Sequence, residues 1–421
     1  MKYLFKPQDL PLKTPYEKVF SLLPSLSDSM KKKRGRPSFS KDSILRALIY
    51  KNLRRLPSLS ELTFELKNNP HIAETLGFPA WESPPSIERF SRFIRSLPNQ
   101  KLQKLRGLLV HQLIREKVIN GKAIALDSCA IEANVKENNL NAAVGSRFDK
   151  NIKPSGDPDA KLGVKIHYPK PFKRKIVFFW GYRNHVLTDT HTELPLLEIT
   201  LPADQHEQKV ALTLLKEMKS YSFMNIEAVT ADANYDSEEI LSYIYHEIKA
   251  MPVIPRNPRG HHQREDFIVH KDTIICPANL TMHRRGKMTT RGRTYLQYSC
   301  PLHYGKKYQG KFLVCPASHP KYFSQKGCNY LLRLTPTVRK YINYDSLIFK
   351  EIYNQRSSAE RVFSRLLAIT MLNPTVVGLQ ATQNHCTIAH ITVVLIALAA
   401  HNLGFEDKIR FVKTFLPNLS L

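Results

Sequence analysis

Acidic residues are in short supply. Lys and Arg number 63 against 36 Asp and Glu, a formal charge of +27 over 421 residues. The excess runs along the chain instead of sitting in a tail, which argues for a polyanionic partner, nucleic acid before membrane. A basic protein with no such partner is the plain alternative. Long apolar runs are lacking too: the longest, near Ile391–Ala400, is too short to span a bilayer and reads as a buried helix. The opening Met1–Lys6 soon turns polar, without the apolar stretch of a secretory signal. There are six cysteines and no Cys-x2-Cys pair, which points to thiols or metal ligands before disulfides.

The length is enough for two or three domains with a large core. Residues 1–118 read as helical. Lys31–Pro37 is a basic run around Gly-Arg-Pro, in which Lys33, Arg34 and Arg36 reach DNA either as a minor-groove hook or as an arm on phosphates. Ser40 caps a helix that turns Ile44, Leu45, Leu48 and Ile49 inward. Ser58 and Glu61 form a capping-box pattern ahead of Leu59, Leu62, Phe64 and Leu66. A third helix sets Phe90, Phe93, Ile94 and Leu97 against Arg89, Arg92 and Arg95. Such helices suit a DNA-end binder or a bundle bracing the next domain.

From residue 119 the period changes to that of strands, and two of them end in Asp. One is Ala123–Asp127, the other Ala228–Asp232. A carboxylate at the mouth of a buried strand is costly unless it holds a cation or a hydrogen-bond network, and each Asp also suits a helix cap or turn. Between them lie a polar loop (134–159), an alternating strand whose Lys165 side faces a phosphate backbone, two more strands and a helix. Strands and helices in this order suggest an α/β layer with helices on both faces. Trp180 and Tyr182 read as core aromatics before base-stacking ones.

Residues 257–330 break the pattern and hold Cys276, Cys300, Cys315 and Cys328. Cys300-x2-His303 and Cys315-x3-His319 have ligand spacing, and thiolate with imidazole suits Zn²⁺; reduced cysteines in a basic β insertion are the alternative. In residues 331–421, Tyr353, Arg356 and Glu360 share a helix face, backed by an apolar stripe of Ile352, Ala359, Val362, Leu366 and Ile369. An exposed ion pair explains that spacing as well as a metal ligand beside a phosphate clamp does.

The ordered set resembles bacterial insertion-sequence transposases of the cut-and-paste DDE type. It includes Trp180–His185, Leu194–Leu196, Pro202–Glu207, Ala231–Asp236 and the Tyr-x2-Arg-x3-Glu signature at Tyr353, Arg356 and Glu360. The signature's closing Lys is Leu367 here, with Arg365 nearby as a substitute charge.

The resemblance implies an RNase H-like mixed sheet with helices on both faces. It also implies a helical N-terminal domain (1–118), a core split as 119–256 and 331–421, and a Cys/His-rich basic insertion between the two parts. The first and fourth strands would lie side by side. Asp127, Asp232 and Glu360 would bind two Mg²⁺ or Mn²⁺ ions, while Tyr353, Arg356 and Arg183 would meet DNA. The implied reaction is cleavage at terminal inverted repeats and joining of the 3′-OH ends to target DNA. It would run in a homodimer, in the cytoplasm at the nucleoid. A repurposed DNA-binding relative and a nuclease without strand transfer are the other readings.

Overall fold

The computed structural model describes residues 15–26 and 39–415, except 80, 171–172, 220, 222–223, 258–266, 272, 291, 309–310, 312–313, 320–321, 323–326, 372–373 and 413. The basic arm with Lys33, Arg34 and Arg36 lies outside the described residues. The chain divides into two compact units, Met1–Pro255 with Tyr344–Leu421, and Arg256–Asn343.

The larger unit opens with helices α1 (Pro15–Phe20), α2 (Lys41–Arg54), α3 (Leu59–Asn68), α4 (Pro70–Thr75), α5 (Ile87–Ser96) and α6 (Asn99–Arg115). The caps act as their residue types dictate. Ser40 Oγ accepts from the Asp42 N–H, and Ser58 with Glu61 closes a reciprocal capping box. Ile44, Leu45, Leu48 and Ile49 are buried. Phe64, grouped above with the inward set of α3, is 69% exposed. It lies two residues from Leu62 and from Leu66, and a helix carries such neighbours to another face.

Six strands follow: β1 (Ala123–Glu132), β2 (Lys161–Lys170), β3 (Lys173–Asp189), β4 (Leu194–Pro202), β5 (Ala228–Ala231) and β6 (Met251–Val253), with α7 (Glu207–Met218) and α8 (Glu238–Ser242) between. β3 is one strand of 17 residues, longer than the stretch through Tyr182 that its apolar run marked. It pairs antiparallel with β1, β2 and β4. β5 lies parallel to β1 and β6 parallel to β5. The order β4–β3–β1–β5–β6 is that of an RNase H-like sheet, and it sets the first and fourth of those strands side by side.

β5 is buried along its whole length, so helices must cover the sheet on both faces. The smaller unit holds β7 (Ile268–His270), β8 (Thr273–Ile275), β9 (His283–Thr290), β10 (Arg293–Ser299), α9 (Pro301–Tyr304) and β11 (Asn329–Arg333), the last pairing as β11–β10–β9. The larger unit then resumes with α10 (Leu347–Asn354), α11 (Ser357–Leu366) and α12 (Leu379–Asn402). α10 packs on β5 and β6, α11 on β1 and β3, and α12 on α2, α5, α6 and β4.

Helix α12 is long and apolar enough to cross a membrane, yet 89% of its apolar window is buried in the fold. A buried polar network ties it down. Asn184 donates to Glu198 (2.7 Å) and Thr200 (2.9 Å), and its Oδ1 pairs with His390 Nε2 at 3.0 Å. Glu198 also accepts from Thr387 (2.6 Å) and Gln103 (2.5 Å). Each donor offsets the cost of a carboxylate in the core. Trp180 and Tyr182 are core residues here, 2% and 0% exposed. The loop before β2 is pinned by them: Trp180 Nε1 donates to Arg147 O at 2.9 Å, and Tyr182 Oη to Asp157 Oδ1 at 2.8 Å. His185 is a core histidine, driven to about 3 by burial and then by Arg183.

Candidate active site

Parallel pairing builds the site. The β1–β5 register runs from Ala123↔Ala228 to Leu126↔Ala231, so the next residues, Asp127 and Asp232, stand at neighbouring strand positions. Ile124–Leu126 and Ala228–Ala231 are buried and keep their register by burial; a one-residue slip would turn each carboxylate to the other face.

Asp127 stays within the sheet, opposite Val186 of β3, and its Oδ1 accepts the Ser128 N–H at 2.8 Å. Burial pushes its carboxyl up to about 7. The Ser128 N–H and Arg356 oppose this, while Asp232 and Glu360 push it further. Asp232 leaves the strand and caps a short 3₁₀ turn, accepting from Asn234 N (2.9 Å) and Asn234 Nδ2 (3.1 Å). It is therefore a cap as well as a strand-end carboxylate, and the bonds from Asn234 fix its orientation.

The third carboxylate comes from α11. Ala359, Val362 and Leu366 are buried on its core face, with Ile369 just beyond, and Glu360 is left outward with a side chain 56% exposed. The chain turns at Gln355–Arg356 between α10 and α11, so the signature spans a helix break instead of one continuous helix. Gln355 is held there by Thr190 Oγ1 at 2.8 Å.

Arg356 joins the parts. Its Nη2 donates to Glu360 Oε1 at 2.7 Å and its Nη1 lies 3.8 Å from Asp127 Oδ2. The guanidinium also sits 5.9 Å from the Tyr353 ring centroid, and Tyr353 stacks on Phe349. Asp127, Glu360, Arg356 and Tyr353 thus form one constellation, with Asp232 on the adjoining strand.

Among the described residues no group of three or more His, Cys, Asp or Glu side chains is gathered closely enough to hold a metal ion. For the carboxylates the chemistry still fits a hard divalent cation. The donors are all oxygen, two come from adjacent strands, and burial, with Asp232 and Glu360 nearby, pushes the Asp127 carboxyl up to about 7, a cost that a cation would relieve. Arg356 is the cation that bridges Asp127 and Glu360 here.

The residues expected as zinc ligands fall in the smaller unit. Cys276, Cys300 and Cys328 are buried in the apolar core of the smaller unit with Phe267, Tyr298 and Tyr330. The thiol of Cys328, with N–H groups of Leu302, His303 and Cys328, pushes Cys300 down against burial. His303 Nε2 pairs with Tyr322 O at 2.8 Å.

Lys165 bonds Glu132, and Arg183 bonds Glu207 Oε1 at 3.0 Å, Ser128 Oγ at 3.3 Å and Val164 O at 2.6 Å. Arg183 thereby braces β3 against β1 and β2. Arg365, the substitute for the missing Lys at Leu367, is instead drawn to Glu193, at 3.4 Å. Residues that the motif reading passed over are Ser128, Asn234, Gln355 and Thr190, which orient the carboxylates and the Arg356 turn. Only Asn234 had a local signal, an Asx-type turn two residues after Asp232.

A family described as the transposase DDE domain matches residues 163–395, more than half of the chain, and a second family described as a transposase domain matches residues 6–96. The first match includes Asp232 and Glu360; Asp127 falls between the two. No curated protein matches the sequence. Among solved structures, the piggyBac transposase synaptic complex with hairpin DNA is similar at 13% identity over 98% of this chain and 80% of that one, with a TM-score of 0.44. The Mos1 transposase paired-end complex with left transposon end gives 12% identity over 53% of this chain and 62% of that one, with a TM-score of 0.17.

Proposed function

Because the chain belongs to the transposase DDE domain family, whose enzymes use divalent metal ions, we propose that it cuts DNA at terminal inverted repeats and joins the freed 3′-OH ends to target DNA. Asp127, Asp232 and Glu360 would hold two ions, Mg²⁺ or Mn²⁺, which would supply activation of the attacking water or 3′-hydroxyl and stabilisation of the leaving oxygen. The observation that carries the reading is the β1–β5 register, which makes Asp127 and Asp232 neighbours, with Arg356 linking Asp127 to Glu360.

The chain's own residues do the rest. Arg356 orients Glu360 and offers its fork to a phosphate oxygen. Tyr353 backs that guanidinium and meets the strand beside the cut. Asn234 and Ser128 fix the rotamers of the two aspartates. The exposed Arg89 and Arg95 of α5 give the N-terminal helices a basic face for the DNA end. Two ends joined in one reaction call for two copies of the chain.

The test is joining of a pre-cleaved transposon end to plasmid DNA with Mg²⁺ or Mn²⁺. Joined product supports the transposase reading. Cutting without joining leaves a nuclease, and binding without either leaves a repurposed DNA-binding protein.

The Asp127 carboxyl also predicts a pH dependence. A carboxyl must shed its proton to take a cation. Apparent Mn²⁺ affinity is expected to rise about tenfold per pH unit below about 7 and to level off above it. Calorimetric titrations on either side of that pH check this, and a flat profile would count against Asp127 as a ligand. Without metal the sign for stability is opposite. The folded state keeps this proton up to about 7 and the unfolded state loses it near 3.8, so the metal-free fold loses stability as pH rises between them.

A further inference from the structure

Helix α11 has a second charged face. Beyond Glu360, Arg361 and Arg365 point to the β3–β4 turn, where Arg410 joins them, and all three guanidiniums converge on Glu193. Arg361 Nε lies 2.7 Å and Arg410 Nη1 3.2 Å from Glu193 Oε1, while Arg365 Nη2 lies 3.4 Å from Oε2. The Glu193 side chain is only 9% exposed, whereas Arg361 and Arg410 are 52% and 42% exposed. These residues line a cavity of about 660 Å³ that also includes Lys117, Glu406 and Asp407. Glu406 is taken up by His401 Nδ1 at 2.5 Å.

The cavity lining sets Lys117, Arg361, Arg365 and Arg410 against Glu193, Glu406 and Asp407, a small positive excess. Burial pulls Arg365 down to about 10 although Glu193 supports it, and Arg410 and Arg361 pull it further. The arrangement is rigid. Glu193 has a left-handed backbone (φ 57°), unusual for a residue with a side chain. Asp189 secures that turn by accepting from Thr192 N (2.8 Å), Thr192 Oγ1 (2.6 Å) and Gly121 N (3.1 Å). Arg410 Nε donates to Thr192 O at 3.1 Å and its Nη2 to His191 O at 2.5 Å, which leaves two of its five N–H groups for a ligand. Arg361 engages Glu193 through Nε and Ser357 Oγ through Nη1 (2.8 Å), two of its five donors.

We propose that this cavity is a second phosphate site, in which Arg361 and Arg410 grip a backbone phosphate of the DNA whose scissile bond lies at Glu360. The inference rests on the transposase reading, since it supplies the DNA. Arg361 follows Glu360 directly in the helix, so a phosphate held there fixes the strand relative to the catalytic carboxylate. Glu193 holds the arginines together until the DNA arrives, and its charge competes with the phosphate it prepares for.

The test uses the full chain and a duplex carrying the transposon end, with affinity followed by fluorescence anisotropy over a range of salt. In the Arg361→Gln/Arg410→Gln variant the slope of log K against log salt is expected to fall by about one, with about tenfold weaker binding near physiological salt. Glu193→Gln is expected to bind DNA more tightly than wild type, because the competing charge is gone. A purely structural cluster predicts the reverse, with the Glu193→Gln protein weakened alongside the arginine variant. Thermal melting identifies any variant that fails to fold; if Glu193→Gln does, the arginine pair decides alone. Wild-type slope and affinity in the arginine pair would overturn the inference and leave the transposase reading standing. A wild-type chain that binds no DNA end would instead sink that reading.

Discussion

Asp127→Asn and Glu360→Gln are each expected to abolish strand cleavage, by about 10³-fold or more, while leaving binding of the transposon end close to wild type. Both substitutions are nearly isosteric and remove a charge that a hard cation requires. Removing one well-placed electrostatic group from an active site already costs about 10²–10³, and a lost ligand also lowers occupancy of the site. Asp127→Asn has a second effect of opposite sign. It removes a carboxyl that burial disfavours as an anion, so the metal-free variant is expected to melt higher than wild type above about pH 7. A dead enzyme that is more stable is hard to attribute to misfolding. Single-turnover cleavage and a melting curve on the same preparation decide it. An Asp127→Asn protein that cuts at the wild-type rate removes the carboxylate from the mechanism.

The second large effect is at Arg356. Its guanidinium spans Glu360 and Asp127 with separate nitrogens, at 2.7 and 3.8 Å. Arg356→Ala is expected to slow cleavage by about 10²–10³-fold. Arg356→Lys is expected to recover little of that, because an ammonium is a point charge and lacks the planar fork that reaches two oxygens at once. The effect belongs in the cleavage rate at saturating DNA more than in end affinity, since a single phosphate contact contributes modestly to the latter. Substantial rescue by lysine means that charge alone is required, and the bridging geometry then has no mechanistic role.

Much of the site was legible because its signals are local. An apolar run ended by Asp is visible in Ala123–Asp127 and Ala228–Asp232, and burial does enforce those strands. The Ser58–Glu61 cap and the stripe behind Glu360 follow from spacing alone. That β1 neighbours β5 came only from family resemblance, since parallel pairing across a long crossover leaves no mark in the period of either strand. The link from Arg356 to Asp127 had no sequence signal for the same reason. The contact of Arg365 with Glu193 had no sequence signal either, because proximity along a helix says nothing about a carboxylate arriving from a distant turn. That turn, Thr190–Glu193, contains no glycine to announce its left-handed residue. In the smaller unit, spacing marked the cysteines but gave no sign that Cys276, Cys300 and Cys328 are buried among aromatics.

Helix α12 has a consequence for how the molecule is made. It covers apolar faces of α2, α5 and α6, which leave the ribosome long before it does. At a synthesis rate of about 5–20 residues per second, those faces wait on the order of tens of seconds for their cover. The nascent chain in that interval is a natural client for a holding chaperone, and the yield of native enzyme depends on how well the early helices are kept apart until the late one arrives.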